Sequence, residues 1–185
     1  MPYLKKSLFL FLITCLFCGC SQKDFGTKHA HYELGASLSV PENWQRVDLI
    51  AVAAVSSMAF EDGEGGFIIL TQNFETSFRK QMRIISEMNY PILEKGPLLF
   101  SKYKTQWFQS VDNRTTNIAY VLKANEGRIF SILCAAPSIN FVSYRANFDR
   151  AARSFRAFWS NIPPRLKSIR INYQSFYRPA SCYRM

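Results

Sequence analysis

Residues 32–44 read "YELGASLSVPENW", and the fold turns on how they are taken. Tyr32, Leu34, Ala36, Leu38 and Val40 fall on one face, and Glu33, Gly35, Ser37 and Ser39 on the other. A period of two over this length predicts a half-buried strand. Pro41 cannot donate to a ladder and ends it. "PENWQRV", 41–47, then reads as a turn, with Trp44 as an aromatic plug.

Working outward, 49–60 ("LIAVAAVSSMAF") and 66–74 ("GFIILTQNF") read as strands joined by the Gly-rich turn "EDGEGG". Residues 76–89 change period: Phe78, Met82, Ile85 and Met88 share a helical face, opposite Arg79, Lys80, Arg83 and Glu87. Asn89 and Pro91 stop that helix. Strand-like runs follow at 91–103, 105–111, 116–124 and 128–136, with turns "VDNR" and "ANEG" between the last three. Residues 140–159 predict a second helix. Its apolar positions Phe141, Tyr144, Phe148, Ala151, Phe155 and Phe158 step by three and four. No internal repeats are visible. Strands, helix, strands, helix in this order predict an α+β fold, an antiparallel β-sheet flanked by helices.

The opening "YELGASLSVPENW" and the closing "FDRAARSFR" together resemble the PsbP/Mog1-like family, over about residues 31–160. That family starts with a strand leading into P-x-x-W and ends in a helix finishing near "SF". The resemblance implies a layered sandwich of antiparallel sheet and helices. It also implies binding or assembly roles, and it brings no catalytic set to carry over.

The chain start carries an address. Lys5 and Lys6 precede the apolar run Leu8 to Cys18, after which come Gly19, Cys20 and the polar Ser21, Gln22, Lys23 and Asp24. A basic head, an apolar run of about 7–15 residues and a small residue at the cut are the plan of a secretory signal. The run is too short to span a bilayer, which takes about 20 residues. "FCGC", 17–20, resembles a bacterial lipobox. The resemblance implies a thiol-linked diacylglycerol on Cys20 and cleavage before it, with Cys15 and Cys18 leaving in the signal. A plain secretory signal and a thiolate metal or redox site are the alternatives. Thiolate ligands call for a polar second shell, which an apolar leader lacks. The expected organisation is signal peptide 1–19, lipidated cysteine and tether 20–30, globular domain 31–160 and basic tail 161–185. The implied location is the cell envelope, with Ser21 resembling the pattern for outer-membrane sorting toward the periplasm.

Charge narrows the partners. Of 23 basic and 13 acidic residues, removal of the leader takes only Lys5 and Lys6, leaving a net +8. Such an excess attracts anionic surfaces, and an exported address sets nucleic acid aside. From Pro163 onward Arg165, Lys167, Arg170, Arg178 and Arg184 have no acidic companion. This tail reads as a contact for anionic lipid headgroups, worth about 1 kcal/mol per cation, or as a disordered segment without a partner. The partner of the domain itself is expected to be another envelope protein, of unknown identity. Arg145, Arg150, Arg153 and Arg156 on the second helix read as a solvated face or an anionic contact, and Asp149 sits four residues from both Arg145 and Arg153.

Candidate chemistry is sparse. Cys134 and Cys182 could pair in an oxidising compartment, or Cys134 could be a buried thiol in an apolar run. His29, His31 and Glu33 share a face if the strand extends back to His29. Two imidazoles and a carboxylate are ligands for zinc or copper, and a solvated strand face is the other reading. Glu61, Asp62 and Glu64 lack the ligand number and spacing of a calcium loop. Asn113 to Thr115 fits a glycosylation sequon, of no consequence in a bacterium. A hydrolase would need a nucleophile, a base and an orienting group. The two histidines have no partner motif, so no enzyme and no cofactor are expected.

Overall fold

The computed structural model describes residues 25–47, 57–73, 77–88, 91–124 and 127–158. The signal peptide, Cys20, the basic tail and Cys182 lie outside the described residues. Ten strands and two helices are described: β1 (Thr27–His31), β2 (Ala36–Val40), β3 (Gln45–Val47), β4 (Ser57–Glu61), β5 (Phe67–Asn73), α1 (Phe78–Met88), β6 (Ile92–Pro97), β7 (Lys104–Asp112), β8 (Thr115–Lys123), β9 (Ile129–Pro137), α2 (Phe141–Ser154) and β10 (Arg156–Ala157). They form a seven-stranded antiparallel sheet in the order β3-β4-β5-β9-β8-β7-β6 and a three-stranded antiparallel sheet in the order β1-β2-β10. The fold is α+β, as the pattern of elements predicts.

Strand parity assigns the layers. Met58, Phe60, Ile68, Leu70, Ile118, Tyr120, Leu122, Phe130, Ile132 and Cys134 project from one face of the large sheet. They meet Leu34, Ala36, Leu38 and Val40 from the small sheet and Phe141, Tyr144, Phe148 and Ala151 from α2. Ala59, Ile69, Phe108, Ala119, Val121, Ile129 and Leu133 project from the other face and pack with Ile85, Phe78 and Met82 of α1. β8 and β9 are therefore buried on both faces, which is why they read as near-continuous apolar runs rather than alternating ones. The small sheet and α2 lie side by side in one layer, joined where Ser154 Oγ accepts from Ser39 N at 2.8 Å.

Several sequence expectations are corrected. The strand read through 32–40 is a turn over 32–35 followed by β2 alone. Gly35 at φ 61° allows the reversal, its N–H donates to Tyr32 O at 3.0 Å, and Tyr32 is 76% exposed instead of facing the core. The sheet also begins at Thr27, inside the stretch read as tether. Residues 91–103 are not one strand: β6 stops at Pro97 and a loop runs to Tyr103. The second helix ends at Ser154, before Phe155 and Phe158. Phe155 turns extended (φ −52°, ψ 134°), Arg156 Nη1 donates to the carbonyls of Arg153 and Phe155, and Arg156 pairs with Ser37 in β10. The periodicity of 155 and 158 is real, but tertiary pairing overrides it. Gln45–Val47, read as the end of the "PENWQRV" turn, is instead β3, which pairs with β4 and continues the sheet after Trp44. Part of the run 49–60 lies outside the described residues.

Thr71, on the α1 face of β5, is buried and its hydroxyl has no hydrogen-bond partner among the described residues. An unsatisfied buried hydroxyl costs about 1–3 kcal/mol. Thr71→Val is accordingly expected to stabilise the domain by about 1 kcal/mol, read as a higher urea midpoint at unchanged slope. A lower midpoint would mean that the hydroxyl is satisfied.

Candidate functional site

α2 lies over β9, and one of its edges reaches across β8 toward β7. On that side β7 carries Thr105, Trp107, Gln109 and Val111; Thr105 is buried and the other three only half-buried. Five side chains converge there. Tyr120 Oη donates to Asp149 Oδ1 at 2.6 Å. Arg145 Nε donates to the same oxygen at 3.3 Å, and Arg145 Nη1 donates to Gln109 Oε1 at 2.7 Å. The Arg145 guanidinium lies over the Trp107 ring, 4.2 Å from its centroid. A planar cation on an indole face is the strongest form of this contact, and a bidentate-capable guanidinium is suited to carboxylate or phosphate. The Arg145 side chain remains 24% exposed. Burial first, then Cys134 and Asp149, push the Tyr120 hydroxyl well above its usual 10.

The helical spacing of Arg145 and Asp149 was legible, and they do pair. Asp149 does not bridge to Arg153, whose Nε donates to Leu99 O at 3.1 Å. Trp107, Gln109 and Tyr120 went unnoticed in the sequence. Their facing positions on neighbouring strands, Trp107 opposite Tyr120 and Gln109 opposite Ile118, were the available signal.

His29, His31 and Glu33 are not arranged as expected. His29 pairs with Leu38 and His31 with Ala36, so both point to the core side of the small sheet rather than to solvent. The His29 ring sits 4.7 Å from Phe60. His31 Nδ1 accepts the N–H of Leu34 at 3.2 Å, which closes the turn. Burial first, then Arg46, lowers the pKa of both; Glu33 partly opposes this for His31. Glu33 is in the turn, off the strand period. Among the described residues, no three His, Cys, Asp or Glu side chains group so as to hold a metal ion.

The remaining candidates have structural partners. Asp62 Oδ1 accepts the N–H groups of Glu64 and Gly66, each at 2.8 Å, and Oδ2 accepts Tyr144 Oη at 2.5 Å. The carboxylate thus ties the β4–β5 turn to α2. A Cβ on Gly66 would stand 2.3 Å from the Tyr144 ring, so only glycine permits this approach. Burial and the bond to Asp62 raise the Tyr144 pKa. Asn113 takes φ 52° in the β7–β8 turn. Cys134 is a free thiol in the core, and burial raises its pKa well above the ordinary value.

No protein-family model matches the sequence, and no curated protein matches it either. Among solved structures, the chain is similar to the solution structure of cyanobacterial PsbP (CyanoP) from Synechocystis sp. PCC 6803. The TM-score is 0.51 at 14% identity, over 76% of this chain and 97% of that one. A crystal structure from Bacteroides thetaiotaomicron VPI-5482 gives 0.48 at 10% identity, over 74% of this chain and 50% of that one. LpqN, involved in cell envelope biogenesis of Mycobacterium tuberculosis, gives 0.48 at 10% identity, over 74% and 87%. Scores under 0.5 carry no argument. The PsbP likeness establishes the fold, and at that level the resemblance stated from "YELGASLSVPENW" and "FDRAARSFR" holds.

Proposed function

We propose that the chain is a lipid-anchored bacterial envelope protein whose PsbP-like domain is a non-enzymatic binding or assembly accessory. The observation that carries this reading is the sequence of 17–20, with Gly19 before Cys20 at the end of a short apolar run and polar residues directly after it. A single acyl chain holds a protein marginally, and stable anchoring takes a second chain or signal; the lipobox reading supplies the further chains on Cys20 itself. Among the described residues no helix is long and apolar enough to cross a membrane.

Two features support binding over catalysis. The polar cluster on α2 and β7 is occupied with itself, and what it leaves partly open is a guanidinium on an indole, a recognition group. Cys134 is buried with a raised pKa, the opposite of an activated thiol. The outer membrane facing the periplasm is the proposed location, from Ser21.

The expected outcome of mutation is specific. Cys15→Ala and Cys18→Ala chains should be processed and retained in membranes, with a mature terminus at Cys20 bearing lipid by mass spectrometry. Cys20→Ala should accumulate uncut. A Cys20→Ala chain that is still cut and membrane-bound would overturn the anchoring. Crosslinking in intact cells, comparing the parent with Arg145→Glu, tests the binding role. Loss of a specific adduct at unchanged fold supports it, and identical adducts count against this surface.

A further inference from the structure

We propose that the end of the domain where β6 gives way to β7 is a docking surface for an anionic lipid bilayer. The registers define that end. Pro97 pairs with Gln106, Lys104 with Lys123, Lys123 with Ile129 and Asn73 with Ile129. The strand termini of β5 through β9 therefore gather there. The C-terminus of α2 joins them, because Arg153 reaches Leu99 O. β10 joins as well: Ala157 N donates to Tyr103 Oη at 3.0 Å, and Arg128 Nη2 donates to Phe158 O at 2.8 Å.

Apolar side chains project from this end into water. Phe100 is 94% exposed and Leu99 63%. Tyr32, 76% exposed, lies edge-on to Phe158 at 5.9 Å. The loop bearing Leu99 and Phe100 is fixed, not loose. Leu98 N donates to Thr105 O at 3.2 Å, Ser101 and Thr105 share a hydroxyl bond at 3.0 Å, and Arg153 holds Leu99 O. Phe100 takes φ 59°, an uncommon conformation for a bulky residue, and it displays the ring outward. A fixed loop that spends a left-handed position on exposing a phenylalanine needs a partner to cover it.

Charge names the partner. Lys102, Lys104, Lys123, Arg128, Arg153 and Arg156 surround these side chains, and among the described residues none of the six is within ion-pair distance of a carboxylate. Their contacts are carbonyls and ring faces, such as Lys102 over Tyr103 and Lys104 over Phe78, which leave the charge uncancelled. Glu33 is the one described acid in the turns at this end. At the opposite end Glu61 closes β4, Asp62 and Glu64 follow in the β4–β5 turn, and Asp112 stands beside Arg114 at the β7–β8 turn. Apolar tips in a cationic field match a bilayer interface, where rings sink between headgroups and cations meet phosphates. A two-fold symmetric dimer through this end would set it against another positive end like it.

The test uses the chain from Ser21 to Met185, which keeps every described residue, and vesicles of phosphatidylcholine with or without one-quarter phosphatidylglycerol. Co-sedimentation should be strong only with phosphatidylglycerol. Leu99→Ser with Phe100→Ser should lower the partition coefficient at least tenfold although the basic tail is intact, and Lys102→Glu with Lys104→Glu should do likewise. In the Phe100→Trp chain, vesicles should shift the indole emission to the blue, and brominated acyl chains should quench the indole that this substitution adds. An unchanged partition coefficient in both double variants would assign all binding to the tail and overturn the proposal. So would equal binding to neutral vesicles, no added quenching in the Phe100→Trp chain over the parent, or a dimer in solution that the Leu99→Ser, Phe100→Ser variant abolishes.

Discussion

Phe148→Ala is expected to destabilise the domain by about 3–5 kcal/mol, the range for removing a fully buried aromatic side chain. Phe148 is 0% exposed and sits where α2 meets the small sheet and the large one. Its ring lies edge-on to Trp44 at 6.1 Å, stacked against Tyr144 at 5.8 Å and tilted toward Phe141 at 6.2 Å. Truncation would strip three aromatic neighbours of a partner and leave a cavity that the rigid strands beneath cannot close. Trp44 would suffer in particular, since Phe148 and Tyr144 form its walls. A fall in melting temperature of roughly 10 °C or more corresponds to that loss for a domain of this size. Phe148→Leu, which fills most of the space, should recover more than half. If Phe148→Ala melted within about 2 °C of the parent, the packing of α2 described above would be wrong.

Asp149→Ala is the second large effect, expected at about 2–3 kcal/mol. It strands the buried Tyr120 hydroxyl, and leaving a buried donor unmade costs about 1–3 kcal/mol. It also frees Arg145 Nε, although that ion pair is partly solvated and adds little. Asp149→Asn keeps an acceptor for Tyr120 and should cost about half as much. The cycle between Tyr120→Phe and Asp149→Ala should show a coupling of about 1 kcal/mol or more, because the two share one hydrogen bond. Additive losses would refute the link. The same pair sets an alkaline limit. Tyr120 ionises near 10 in the unfolded chain and well above that in the fold. The folded state therefore holds its proton more tightly, and the associated stability is complete below pH 10 and is lost as pH climbs past 10. Tyr120→Phe should remove part of that slope.

The sequence made the layers legible wherever a local rule matched the tertiary one. Leu34, Leu38 and Val40 read as core and are core, and the "EDGEGG"-linked runs read as strands and are β4 and β5. Tyr32 misled because a strand and a turn can share a period of two over three residues; only the left-handed Gly35 separates them. Phe155 misled because its burial comes from Tyr103 and Phe130, 5.4 and 4.9 Å away between ring centroids, not from a helix face. The stack of Arg145 on Trp107 was illegible in principle. It joins a helix to a strand through the spacing of two intervening strands, and no local pattern encodes that sum. His29 and His31 were placed on the same side of β1 correctly, but which side depended on β2 pairing in a register that the turn dictates.

The stitching of β2 has a consequence in time. Its neighbours are β1, a few residues away, and β10, at the far end of the domain; the Ser39–Ser154 bond closes a separation of 115 residues. Contacts of such range are slow to form because the loop must close before any of them stabilises it. A ribosome or an export channel releases residues 34–40 first and 154–157 last. Throughout that interval the β2 edge that β10 later covers stays unpaired, and a short apolar β-prone segment with an open edge is of the kind that joins other chains. The β2 edge is closed only by the chain that follows α2, and a chaperone that shields the first hairpin until then is expected to raise the yield of folded protein.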